Sequence, residues 1–84
     1  MNINNFWNNI KNHEGETFHT VTNLEFTYQL VSEYAIKTSR TDYNLSIWNF
    51  EKALELNPSK PGDISKAVRG SSYVYALITD ERMQ

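Results

Sequence analysis

Apolar residues at Ile3, Phe6, Trp7 and Ile10 follow the i, i+3, i+4, i+7 spacing of one helix face. The spacing predicts a short amphipathic helix over residues 2–12. The asparagines between them are poor helix formers but good caps, and Gly15 ends the segment. From Thr17 the period changes. Thr17–Thr22 is rich in β-branched residues and reads as a strand, with Asn23-Leu24 as a tight turn. Glu25–Leu30 alternates, with Phe26, Tyr28 and Leu30 inward and Glu25, Thr27 and Gln29 outward, the pattern of a half-exposed antiparallel strand. A third strand at Glu33–Lys37, with Tyr34 and Ile36 inward, completes a three-stranded meander.

Residues 38–45 are polar and form a loop. Ser46 is placed to cap the next helix, with Leu45 and Phe50 spaced as a hydrophobic staple. Ile47, Phe50, Ala53 and Leu54 form its buried stripe, Leu56 closes it, and Asn57-Pro58 stops it. After the turn Ser59–Gly62, Asp63 caps a short helix Ile64–Arg69 that Gly70 ends. Ser72–Thr79 is apolar on both faces and reads as a final central strand. The expected order is α-β-β-β-α-α-β, a single small α+β domain spanning residues 1–84.

Composition bears on how such a domain is held. Hydrophobic residues make up 39% of the chain, with four Phe, two Trp and five Tyr, so rings are expected to supply much of the core. A chain of 84 residues buries only about 60–65% of the surface its unfolded form exposes. With no cysteine it has neither disulfides nor thiolates for catalysis or metal binding. No apolar run approaches the roughly 18–20 residues of a membrane span, and the first residues lack the charge and apolar stretch of a signal peptide. The expectation is a cytoplasmic protein with no membrane partner.

The net charge of −2 is unevenly distributed. In residues 1–36 only Lys11 opposes Glu14, Glu16, Glu25 and Glu33. Residues 37–72 hold six cations (Lys37, Arg40, Lys52, Lys60, Lys66, Arg69) against four acids. That asymmetry allows a small basic face without the clear basic excess of a dedicated phosphate binder.

Several runs together resemble a family of small, uncharacterised bacterial domains. They are Phe18-His19-Thr20, Phe26-Thr27-Tyr28, Ser39-Arg40-Thr41, Phe50–Leu54 and Arg69–Ile78, and the resemblance covers residues 14–83. It implies no site residue. The start, Met1-Asn2-Ile3-Asn4 with Ile10-Lys11-Asn12, is similar to the opening of phage-encoded anti-CRISPR inhibitors. That likeness implies a protein that inhibits a defence nuclease. The strong acidity by which such an inhibitor imitates DNA is missing here.

The residues offer little catalytic chemistry. His13 and His19 have no metal-pair spacing, although either could reach Glu14 or Glu16. Ser39, Ser46, Ser71 and Ser72 lack a nucleophile-elbow context, and the three glycines make no phosphate loop. The expectation is a non-enzyme with no cofactor and no metal.

Two binding readings remain. In the first, the chain binds another protein, for example a nucleic-acid-processing complex, through exposed aromatic anchors such as Trp7, Tyr43 and Trp48. Trp48 lies about 100° from Ile47 around the helix, which turns it towards solvent. In the second, residues 46–70 form a helix-turn-helix-like unit that binds DNA or RNA. Lys66 and Arg69 would then share a helix face and contact phosphate with Arg40 and Lys60, while Tyr43 or Trp48 stacks on a base. Both readings converge on Arg40, Tyr43, Trp48, Lys66 and Arg69, and the overall acidity favours the first.

Overall fold

Helix α1 (Ile3–Asn12) forms where the apolar spacing places it. The side chain of Asn2 accepts from the Asn4 amide at 2.7 Å and so caps the first turn. Phe6, Trp7 and Ile10 are buried. Further bonds fix the orientation of α1: the Trp7 indole donates to Glu33 O at 2.8 Å, and the Asn9 amide donates to Met83 O at 3.1 Å. The structure is a computed structural model that describes residues 2–84; Met1, where the N-terminal likeness begins, lies outside the described residues.

Two small antiparallel sheets follow, so the α+β class holds, with strands shorter and differently joined than expected. Strand β1 (Phe18–His19) pairs with β2 (Glu25–Phe26), and β3 (Tyr28–Ser32), β4 (Ala35–Thr38) and β5 (Leu45–Ser46) form a second sheet in that order. The expected strand Thr17–Thr22 therefore pairs over only two residues. Its second half is drawn into a turn, where Asn23 takes a positive φ of 66° and its amide donates to Thr20 O at 2.8 Å.

The expected strand Glu25–Leu30 divides at Thr27, and the chain passes from one sheet to the other. Phe26 and Tyr28 stay buried on either side of that junction. Tyr34 departs from the inward position assigned to it. Ser32 pairs with Ala35, which leaves Glu33 and Tyr34 as the two-residue turn of a hairpin, and the Tyr34 ring projects outward. The outer edge of β3 is occupied by the turn after α1. Gly15 N donates to Tyr28 O at 3.0 Å, and Leu30 N donates to the Glu14 carboxylate at 2.7 Å. An edge strand plugged this way is poorly placed to recruit another strand.

Helix α2 (Ile47–Leu56) starts after Ser46, as expected, but the serine side chain makes no capping bond. The Ile47 amide donates instead to Tyr34 O at 2.8 Å, so the hairpin turn satisfies the helix N-terminus. Leu45 and Phe50, the staple pair, are both fully buried. Asn57 closes the helix in the left-handed region at φ 49°, where asparagine is tolerated better than most residues.

Two corrections fall in the C-terminal third. The helix expected over Ile64–Arg69 is a 3-10 helix at Pro61–Ile64 continued by turns. Its amides bond mostly three residues back (Asp63 N to Lys60 O, Ser65 N to Gly62 O, Ala67 N to Ile64 O), and Val68 N to Ile64 O is a single α-turn bond. Pro61-Gly62 at the start gives a regular helix little support.

The segment expected as the final central strand is helix α3 (Ser71–Thr79). Gly70 precedes it at φ 69°, and its carbonyl accepts from both Tyr73 N and Val74 N at 3.0 Å. A short run apolar at every position fits a buried strand or a buried helix equally well by periodicity. Here Val74, Leu77 and Ile78 fall on one helical face against the core, and Ala76 is buried beside them. The order is thus α1, five short strands, α2 and α3.

Rings dominate the core in two groups. Phe6 and Trp7 lie 5.4 and 5.7 Å from Phe50, centroid to centroid, joining α1 to α2. Phe18 lies 5.4 Å from Tyr28 and 6.0 Å from Phe26, and Phe26 meets Tyr73 of α3 edge-on at 5.1 Å. The Tyr28 hydroxyl donates to Ile10 O at 2.7 Å inside the protein, satisfying a carbonyl in the last turn of α1. Burial pushes its phenol well above the ordinary range. Tyr28→Phe leaves that carbonyl buried without a donor, so urea unfolding should show a loss of about 1–3 kcal/mol. A loss below a few tenths would mean that the carbonyl finds another partner.

Candidate functional site

The five residues singled out from the sequence do not form one cluster. Tyr43 and Arg69 do meet: the Arg69 guanidinium lies 3.8 Å from the centroid of the Tyr43 ring. The Tyr43 backbone is fixed by Thr41, whose hydroxyl donates to Tyr43 O at 3.1 Å. Gly70 leaves room for the ring, since a Cβ there would lie 3.0 Å from the tyrosine oxygen. Arg40, from the same loop, is engaged elsewhere and donates through Nε to Glu25 O, tying the loop to β2. Lys66 is exposed in the turn after the 3-10 helix and shares no helical face with Arg69. Trp48 takes no part in the Tyr43–Arg69 stack. Its ring stands outward on the first turn of α2 and is 68% exposed.

The surface at Trp48 includes a residue that the alternation rule pointed inward. Tyr34 is 55% exposed, and its carbonyl accepts the amide of Ile47, the residue before Trp48. Both aromatic residues therefore emerge where the β3–β4 turn meets the start of α2. Val31 is exposed on the β3 arm of that hairpin, at the irregularity between Leu30 and Ser32. Trp7 is buried beneath, its indole nitrogen bonded to Glu33 of the same turn, so it supports this corner without being available as an anchor. The signal for Tyr34 in the sequence was the polar Ser32-Glu33 pair, which suits the start of a turn as well as a strand.

Charged groups concentrate at the opposite end of α1, around Arg82. Its guanidinium covers the Phe18 ring at 3.7 Å, donates to Asp80 and to Glu16 Oε1 at 3.1 Å, and reaches Thr17 O at 3.0 Å. His13 donates from Nδ1 to the other oxygen of Glu16 at 2.8 Å, the carboxylate–histidine contact anticipated from the sequence. The His13 bond, with Arg82 behind it, holds the Glu16 carboxyl below its usual range; the Arg82 bond does the same for Asp80. These are paired, mostly solvent-reached charges that tie the C-terminal turn to the α1–β1 connection. Among the described residues, no three His, Asp or Glu side chains converge as a metal site, and no helix is long and apolar enough to cross a membrane.

Comparison of the chain with protein-family models, with curated proteins and with solved structures gives no match.

The Arg82 cluster has a pH signature. Because Glu16 and Asp80 bind protons less readily in the folded protein than in the unfolded chain, their stabilisation is complete above the ordinary values of 4.5 and 3.8. It fades as pH falls through the depressed ones. The thermal midpoint should therefore fall on acidification from about pH 6 to about pH 3, and fall less in Arg82→Gln, where the depression of Asp80 is relieved and that of Glu16, held first by His13, is only reduced. Parallel pH profiles for the two proteins would show that Arg82 does not govern these carboxylates.

Proposed function

We propose that this chain is a non-catalytic interaction protein that binds another protein through the corner formed by Trp48 and Tyr34. The observation that carries the reading is the exposure of Trp48, 68%, on a helix whose one other ring, Phe50, is fully buried. Two aromatic residues held in fixed positions and open to solvent have the character of interface anchors. Tryptophan and tyrosine bury large areas with few rotatable bonds, and they dominate measured hot spots. The corner is also pre-organised, since the Ile47–Tyr34 and Trp7–Glu33 bonds lock the hairpin turn to both helices.

The nucleic-acid alternative draws on Arg40, Lys66, Arg69 and Tyr43. Its phosphate-contacting pair loses the common helix face, and one side of the Tyr43 ring is covered by Arg69. The protein-binding reading loses Trp7, which is buried, and shares the covered Tyr43, but keeps Trp48, which stands free. The N-terminal likeness makes a nucleic-acid-processing complex the first partner to try.

Trp48→Ala should lower affinity for the partner about thirtyfold or more, as a central anchor does, while the thermal midpoint barely moves because the side chain packs on little. A photo-crosslinker at position 48, followed by calorimetry with the purified partner, makes the measurement. Unchanged affinity in that variant would place the interface elsewhere. Salt-titrated binding to DNA and RNA supplies the other arm. Tight binding that weakens steeply with salt and vanishes in Lys66→Glu/Arg69→Glu would favour the nucleic-acid reading instead.

A further inference from the structure

A groove of about 470 Å³ runs between the C-terminal ends of α2 and α3 and the start of α1. Its apolar lining comes from Ile3, Leu54 and Ile78, and its polar wall carries Glu51 and Glu55 of α2. Among the described residues no lysine or arginine lines it. Asn57 and Thr79, at the ends of α2 and α3, also line it, so the partial negative charge of both helix C-termini falls on the same space. Neither helix has a basic residue in its last turn to offset that charge, whereas α1 has Lys11. Glu51 and Glu55 are one turn apart, an i, i+4 pairing of like charges that is mildly unfavourable in an isolated helix. The Gln84 amide, which also lines the groove, donates to Ile78 O at 3.0 Å and satisfies part of the α3 end, but it leaves the Glu51 and Glu55 carboxylates without a cation among the described residues. An apolar floor beneath such an acidic wall is the complement of a side chain with an aliphatic stem and a cationic head.

We infer that this groove takes a lysine or arginine side chain, flanked by apolar residues, from a segment of a partner protein. The inference rests on the protein-binding reading and names a second point of contact for it. Around α2, Glu55 and Glu51 lie about 20° and 60° from Trp48, so one partner segment following the helix meets the aromatic anchor and then the acidic wall. The stem lies on Leu54 and Ile78, and the head sits between the two carboxylates. Arginine is the better occupant, because its planar fork can donate to both. Nucleic acid is disfavoured on this face, since phosphate meets the same carboxylates and helix ends with the opposite sign.

The test uses the intact chain and defined peptides, and needs no identified partner. Ac-Ala-Leu-Arg-Leu-Ala-NH2 titrated into the 15N-labelled protein should give saturable amide shifts at Ile3, Leu54, Glu55, Ile78 and Thr79. Affinity should fall about tenfold in Glu51→Gln/Glu55→Gln, and the shifts should vanish when citrulline or glutamate replaces the arginine. Loss of the groove is read from the double variant and the citrulline peptide, and loss of the aromatic anchor from Trp48→Ala with the whole partner, so the two failures are distinguishable. Shifts scattered over the surface, equal affinity in the double variant, or equal binding of the citrulline peptide would overturn the assignment. Concentration-dependent shifts at the same amides without peptide would also overturn it, by making a second copy of the chain the occupant.

Discussion

The bond from the Tyr28 hydroxyl to Ile10 O joins the two halves of the core. On one side, Phe6 and Trp7 of α1 pack on Phe50 of α2. On the other, Phe18, Phe26 and Tyr73 bring the β1–β2 pair against α3. Tyr28 touches Phe18 with its ring and α1 with its oxygen, so it belongs to both. A chain with no disulfide and strands of two to five residues cannot rely on long ladders or crosslinks. It relies on large rings placed at the crossings between elements, each burying more area per residue than an aliphatic side chain.

That constraint accounts for the other ties in the molecule. Short sheets leave open edges and loose termini, and the chain closes them with side chains. Glu14 occupies the Leu30 amide on the β3 edge, Arg40 links the 38–45 loop to β2, and Arg82 draws the C-terminal turn over Phe18. These charges are spent on structure. Counting them as a basic or acidic face overstates what is available to a partner. The charges left outside this network include Glu51 and Glu55, which border the groove at the ends of α2 and α3, Lys37, which borders a smaller one on β3 and β4, and Lys66.

How much of this could be read beforehand depended on whether a segment has one periodicity or two. Helix α1 was readable because polar asparagines separate its apolar positions, so only one face can be buried. Helix α3 was not, because Val74, Ala76 and Ile78 alternate while Val74, Leu77 and Ile78 repeat at helical spacing, and no polar residue between them decides. The strand reading also needed neighbouring strands long enough to flank it, and only tertiary structure shows that the sheets are too short. Tyr34 departs from its inward place because the strand begins two residues later, at Ala35, with Glu33-Tyr34 as the turn, while Ile36 keeps the inward place the alternation gives it. Pairing Lys66 with Arg69 depended on a helix that Pro61-Gly62 does not sustain. The outward turn of Trp48 was readable from the positions of Ile47 and Phe50 alone. The groove was not, because its walls come from residues 3, 51, 54, 55, 57, 58, 78, 79 and 84, which only the fold assembles.

Helix α2 explains how a domain this small can hold a core and still present a surface. Ile47, Phe50 and Ala53 occupy one buried side of it, and the helix packs against α3, β5 and α1. At 100° per residue, that leaves the opposite side without structural duty. Trp48 and Glu55 stand there and Glu51 at its margin, where they stabilise the fold little and cost it something, an exposed ring in one case and like charges a turn apart in the other. Residues that contribute little to folding are free to be chosen for recognition. The two halves of α2 can then change independently, the buried face under the demands of the aromatic core and the outer face under those of a partner.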